Sequence, residues 1–134
     1  MIGKMSFSTR LIQAFLLALL FFLLSQVGAE TGSHILLQDS PLAGFQYHHG
    51  KALWTEMKVG DRLDLVREPE NRYDHKAVRV EWQGKKLGYV PRRENADIAR
   101  LMDNGSRLEA RITRLTESRD PWQRVRFEIV LPLE

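Results

Sequence analysis

Between Leu65 and Val80 the chain reads LVREPENRYDHKAVRV. Within it Tyr73 and Asp74 set an aromatic ring beside a carboxylate at the entry to a β-rich run, with Arg67, Arg72 and Lys76 close by. An exposed aromatic ring can stack on a nucleobase, which is worth about 1 to 3 kcal/mol per base and tolerates any base. Guanidinium groups hold phosphates in a fixed fork. A carboxylate on a phosphate path is repulsive unless it meets a hydroxyl donor, so Asp74 is the residue that would discriminate between ligands. The same residues also have a structural reading. Pro69 and Asn71 form a loop, Tyr73 serves as a corner tyrosine, Asp74 heads an Asx-turn, and the Arg–acid neighbours are surface pairs of little energetic consequence. Residue types alone leave both readings open.

Other chemistries find less support. His48, His49 and His75 suggest a metal site, but adjacent histidines on a strand point to opposite faces and no His-x-x-x-His spacing occurs. The chain has no cysteine, which removes disulfides, thiolate zinc sites and thiol catalysis. No Gly-x-Ser-x-Gly, no phosphate-binding Gly-rich loop and no evident pair of buried acids is present. The expectation is a binding module rather than an enzyme, with no cofactor and no metal. Trp54, Trp82 and Trp122 are more naturally core or core-margin residues; Trp122, after Asp120-Pro121, is the one expected to be exposed.

To position these residues the chain offers short β-rich runs separated by turn signals, the pattern of a small barrel or sandwich. Strands are expected at Ala43–Tyr47, Arg62–Arg67, Ala77–Trp82, Lys86–Val90, Leu108–Leu115 and Val125–Leu131. Leu63 and Leu65 share one face of the second run with period two. Gln83-Gly84-Lys85 makes a tight hairpin connection in which Gly84 takes positive φ at no steric cost. A helix is expected at Arg93–Asp103, with Ile98, Leu101 and Met102 on one stripe, Glu94 and Asp97 near its positive end, and Asn104-Gly105 as its stop. A shorter helix at Leu53–Lys58 would end at Gly60. Arg111, Arg114, Arg124 and Arg126, spread over the last two strands, are candidates for a basic face.

The first residues carry Lys4 and Arg10 and no acid, Leu11 to Leu24 is nearly all apolar, and Ser25 to Ala29 follows. These are the three parts of a secretory signal peptide. The apolar run of 14 residues would span about 21 Å as a helix, short of the ~30 Å hydrocarbon core. Val27 and Ala29 suit the −3 and −1 positions. The expected organisation is therefore a signal peptide at 1–29 cleaved after Ala29, the alternative being an uncleaved anchor, then a lead-in at 30–40 that is either a first strand or a linker, and one domain at 41–134. The protein would act outside the cytoplasm with no stable membrane span after cleavage. Of 20 basic residues Lys4 and Arg10 belong to the leader, leaving 18 against 17 acids, so any electrostatic attraction must come from where charges cluster.

Ala43-Gly44-Phe45, Arg67-Glu68-Pro69 with Asn71, Tyr73-Asp74, Ala77-Val78 with Val80, Gly88-Tyr89-Val90-Pro91-Arg92 and the following Glu94-Asn95 occur in an order that closely resembles the HIRAN domain family, over about Leu42 to Glu117. The resemblance implies a mostly β fold with one or two short helices, a modified OB-like small barrel. It also implies a pocket for the 3′ end of single-stranded DNA. Carried over by position, Tyr47 and Tyr73 would stack on or wall the terminal bases, Asp74 would accept a hydrogen bond from the 3′ hydroxyl, and Arg92 would contact phosphate. Two positions depart from the DNA-remodelling members, with Gln46 where they have arginine and Tyr89 where they have histidine. The first change removes a phosphate-neutralising charge. Partners are thus expected to be single-stranded DNA or another nucleic acid, the alternative being an exported protein-interaction or envelope module that keeps the fold with a changed ligand.

Overall fold

The computed structural model describes residues 3–4, 6–24 and 32–133. The chain divides into two units, Met1–Thr31 and Gly32–Glu134. In the first, Phe7–Leu24 form one helix, α1, and its large side chains from Phe7 to Leu19 are exposed. Among the described residues no helix is long and apolar enough to cross a membrane. The expected cleavage after Ala29 lies outside the described residues.

The second unit is a six-stranded antiparallel sheet with short helices at its connections. Its strands are β1 (His34–Pro41), β2 (Arg62–Arg67), β3 (Val78–Trp82), β4 (Lys85–Tyr89), β5 (Glu109–Leu115) and β6 (Val125–Pro132), in the order β1-β6-β5-β2-β3-β4. Period two does most of the work. In β3, Val78, Val80 and Trp82 are buried while Arg79 and Glu81 point outward, and in β6 Val125, Phe127 and Ile129 are buried. These side chains meet Leu42, Phe45, Leu63, Leu87, Val90, Ile98 and Ile112 in one core. The buried cluster runs from Leu42 to Ile129, with the partly buried Leu37 of β1 packed against it.

The sheet is open, and a short link draws its two ends together. Leaving β1, Leu42 N–H donates to the Val125 carbonyl of β6, and Ala43 exchanges two 2.9 Å hydrogen bonds with Tyr89 at the end of β4. Two residues thus reach from one end of the sheet to the other. Gly88 makes the approach possible, because a Cβ there would fall on the Ala43 carbonyl oxygen.

Of the two alternatives for the lead-in the first strand is the one that forms, β1 beginning at His34 and ending at Pro41. Several expectations need correction. Ala43–Tyr47 is not a strand. Gly44 takes φ 75°, which turns the chain directly after the bridge, and Phe45–Tyr47 form a 3₁₀ turn that buries the Phe45 ring against Gly50 and edge-on to Trp54, 5.8 Å between centroids. The short helix α2 forms earlier than expected, at Gly50–Leu53, and glycine at its first position leaves room for the Phe45 ring. Helix α3 is Ala96–Asp103, shorter than Arg93–Asp103; Arg92–Glu94 make a separate 3₁₀ turn whose Glu94 carboxylate accepts from the buried Ser40 hydroxyl at 2.6 Å. Gly105, at φ 88°, ends α3 as expected. The β3–β4 hairpin is tighter than anticipated, with Gln83 and Gly84 both at positive φ as a two-residue type I′ turn requires.

Three of the four arginines expected to make a basic face are engaged. Arg111 reaches Glu128 at 3.4 Å, Arg126 reaches Asp39 at 2.9 Å, and Arg124 lies over the Phe45 and Trp54 rings.

Candidate nucleic-acid interface

The loop from Glu68 to Ala77 is held rigidly before any ligand is considered. Its ends pair through Glu68 N–H to the Ala77 carbonyl, 3.0 Å. Arg67 fastens it from outside, donating to the Ala77 and His75 carbonyls and, through Nε and Nη2, to the Asp103 carboxylate at the end of α3. Inside, the Asn71 carboxamide oxygen accepts from the backbone N–H groups of Tyr73 and Asp74. His75 Nδ1 lies 3.1 Å from the Pro69 carbonyl oxygen. A loop so constrained can present its tip without ordering it on binding.

That tip is Tyr73-Asp74. Tyr73 is 84% exposed, which excludes a corner-tyrosine role, and its hydroxyl has no hydrogen-bond partner among the described residues. Asp74 does head an Asx-turn, Oδ1 accepting from Lys76 N–H at 2.9 Å, while Oδ2 accepts from the buried Asn95 carboxamide at 2.7 Å. Burial pushes the Asp74 carboxyl upward, but the hydrogen bonds from Lys76 and Asn95 and the charges of Arg92 and Lys76 outweigh it, and its pKa falls below the ordinary value of 3.8. Asp74 is therefore a fixed anion. A carboxylate has about four lone-pair sites, so two remain for a ligand.

Asp74, Tyr73 and Asn71 form one wall of a cavity of about 590 Å³. Tyr47 and His48 close it from the turn after Ala43, Lys86 and Tyr89 from β4, and Val90, Arg92 and Asn95 from the approach to α3. Tyr47 is 77% exposed, so two tyrosine rings stand at the rim with faces free to stack. Arg92 is exposed, and its guanidinium has no hydrogen-bond or carboxylate partner among the described residues. Of the six residues expected at the site, five line this cavity. Gln46 does not; it is exposed on the outward side of the 3₁₀ turn.

Tyr89 lines the cavity, but its hydroxyl is already engaged. It donates to Glu68 Oε1 at 2.8 Å and accepts from Lys86 Nζ at 2.6 Å, and that ammonium also lies 4.4 Å from the centre of the Tyr89 ring. Burial raises the Glu68 carboxyl, and the hydrogen bonds from Asn71 and Tyr89 with the charges of Lys86 and Arg79 bring it below 4.5 overall. Lys86, His48, Asn71 and Asn95 line or brace the cavity without being expected there from the sequence, which suggests His48 only as a metal ligand and Asn71 only as a loop former. Asn71 and Asn95 did lie inside the motifs that carry the family resemblance.

His48 packs edge-on to Tyr89 at 6.0 Å between ring centroids. Its pKa is lowered from 6.5 by burial, then by the charges of Lys86 and His49, with Glu68 acting weakly in the other direction. The folded state thus favours neutral His48. That contribution is complete above pH 6.5 and is lost as pH falls through 6.5 toward the lowered folded value. The urea midpoint is expected to drop over that window and to stay level in His48→Asn. Asp74 and Glu68, depressed in the folded state, add a second loss only below their ordinary values of 3.8 and 4.5.

Among the described residues no group of three or more His, Cys, Asp or Glu side chains is placed to hold a metal ion. The cavity offers aromatic faces, one fixed anion and cations at its edge.

A family model described as the HIRAN domain matches residues 35–134. No curated protein matches the chain. A crystal structure of a protein from Lactobacillus plantarum is similar with a TM-score of 0.63 and 33% identity, covering 76% of this chain and 97% of that one. The crystal structure of the HIRAN domain of human HLTF is similar with a TM-score of 0.58 and 19% identity, covering 78% of this chain and 84% of that one. At 19% identity the second likeness is one of fold.

Proposed function

The chain belongs to the HIRAN domain family, whose domains are DNA-binding modules in general, and on that premise we propose that it binds the free 3′ end of single-stranded DNA in the cavity of Tyr47, Tyr73 and Asp74. The observation that carries this reading is convergence. Tyr47, Tyr73-Asp74 and the neighbours Tyr89 and Arg92 come from three separate segments and line one cavity, with stacking faces at the rim and an anion held in place by Lys76 N–H and Asn95. The terminal base stacks on the tyrosines, the 3′ hydroxyl donates to the free lone pairs of Asp74, and Arg92 meets the adjacent phosphate. A 3′ phosphate would set two anions against each other. The module acts by binding, without catalysis.

The test is fluorescence anisotropy of the chain from Glu30 onward with labelled oligonucleotides ending in a 3′ hydroxyl or a 3′ phosphate. A charge-assisted hydrogen bond of about 1.5 to 3 kcal/mol corresponds to a preference of roughly 10- to 150-fold for the hydroxyl. Asp74→Asn is expected to erase most of it. Equal affinity for both ends would overturn the reading.

Export by the leader, with Glu30 as the first residue of the mature protein, is part of this proposal, and mass spectrometry of the mature N-terminus checks it. Gln46 favours a second reading. It supplies no charge where DNA-remodelling members have arginine, and with the near balance of charge after the leader this suits an exported module whose ligand is an envelope protein. Capture of a defined envelope partner, with no salt-dependent binding to any oligonucleotide, would select that reading over the first.

A further inference from the structure

A second cavity, of about 490 Å³, adjoins the same tip. It shares Tyr73, Asp74, Arg92 and Asn95 with the first, and its remaining lining includes Arg72, His75 and Lys76. The two differ in character. The first has Ala43, Ala77 and Val90 in its walls and suits the flat, apolar face of a base, whereas the second has Arg72, Lys76 and Arg92 in its lining.

Those cations are uncommitted. Arg67, Arg79, Arg100, Arg111 and Arg126 are each held by a carboxylate within 4.0 Å, but Arg72, Lys76 and Arg92 have no such partner among the described residues, and all three are exposed. The one acid in the lining, Asp74, already accepts from Lys76 N–H and Asn95. The start of α3, at Asn95 and Ala96, also faces this cavity and adds the positive end of a short helix dipole.

We infer that the second cavity is a phosphate subsite for the same strand: Arg72, Lys76 and Arg92 hold the backbone of the nucleotides preceding the terminal one, so that the strand crosses over Tyr73 on its way into the first cavity. The inference rests on the end-binding reading and extends it, since it sets a minimum ligand length and a direction of approach. A ligand filling only the first cavity needs one or two nucleotides. A strand using both needs more, and its affinity carries the salt dependence of the added phosphates, about 0.7 in the logarithmic slope for each one neutralised on a single strand.

The test compares oligothymidylates of two, four and eight nucleotides, each with a 3′ hydroxyl, on the chain from Glu30 onward and on the double variant Arg72→Ala/Lys76→Ala. The chain without substitutions is expected to gain at least about 10-fold between two and four nucleotides, with a steeper salt dependence for the longer ligand. The double variant is expected to lose that gain and flatten the four-nucleotide slope by about 1.4. Both side chains are exposed and leave Lys76 N–H in place, so the melting temperature should be unchanged. If the chain prefers a 3′ hydroxyl but the double variant matches it in length dependence and slope, the subsite is wrong and end recognition stands. If no oligothymidylate binds at all, both fall together.

Discussion

Replacing Tyr47 and Tyr73 together by alanine is expected to weaken single-stranded DNA binding by roughly 30-fold to 10⁴-fold, because each stacked base contributes about 1 to 3 kcal/mol. The same substitutions should leave thermal stability untouched. Both rings are more than three-quarters exposed and neither belongs to the core. Trp122→Ala is the matched control, an exposed aromatic in the turn before β6 that does not line the cavity. Anisotropy titrations of the three proteins check this, and an equal loss in the Trp122 variant would show that exposed aromatic area in general, rather than this site, draws the strand.

A second large effect comes from a position that touches no ligand. Gly88→Ala adds one methyl group directly against the Ala43 carbonyl oxygen, and the obstacle is backbone, with Leu42 behind it, rather than the flexible end of a side chain. Overpacking of this kind costs about 1 to 3 kcal/mol, and displacing Ala43 also breaks its two hydrogen bonds to Tyr89, about 1 kcal/mol each. A loss of about 3 kcal/mol or more is expected, which for a unit of this size lowers the melting temperature by about 12 °C or more. Calorimetry or thermal circular dichroism reads it directly. DNA affinity should fall as well, because Tyr47 and His48 hang from the segment that Ala43 anchors. A variant that melts unchanged would mean the Ala43–Tyr89 bridge contributes little to the fold.

The sequence was most informative where a local period decides the structure. Arg62–Arg67 is the strand its alternating leucines announce, and Gly84 and Gly105 lie where a tight hairpin and a helix stop require positive φ. It misled where a tertiary contact overrides the local pattern. Phe45-Gln46-Tyr47 alternates like a strand, yet Phe45 turns inward on a left-handed glycine and needs Gly50 for its ring to fit. β1 was ambiguous because it is an edge strand with a bulge at Leu37 and several exposed positions, so its alternation is blurred. The site divides in the same way. Tyr73-Asp74 was legible as a chemical pair, whereas the roles of Asn95, Lys86 and His48 depend on which elements meet, and strand register cannot be read from residue types. Arg67 shows the converse. Beside Tyr73-Asp74 in sequence it looks like a phosphate ligand, but its guanidinium is spent holding the loop to α3.

The link between the two ends of the sheet also bears on how occupancy and breathing motions are coupled. Elsewhere neighbouring strands are held by runs of paired residues, but Ala43 and Tyr89 form a single isolated bridge. Tyr47 and His48 follow one side of it, while Lys86 and Val90 flank the other, so a molecule in the cavity touches both sides. Such a molecule acts as a clasp. At 100 times its dissociation constant it would add about 2.7 kcal/mol against any local unfolding that destroys the cavity. Amide hydrogens at Ala43 and Tyr89 then report binding through slowed exchange, and conditions that loosen this end of the domain reduce affinity without altering any group that meets the ligand.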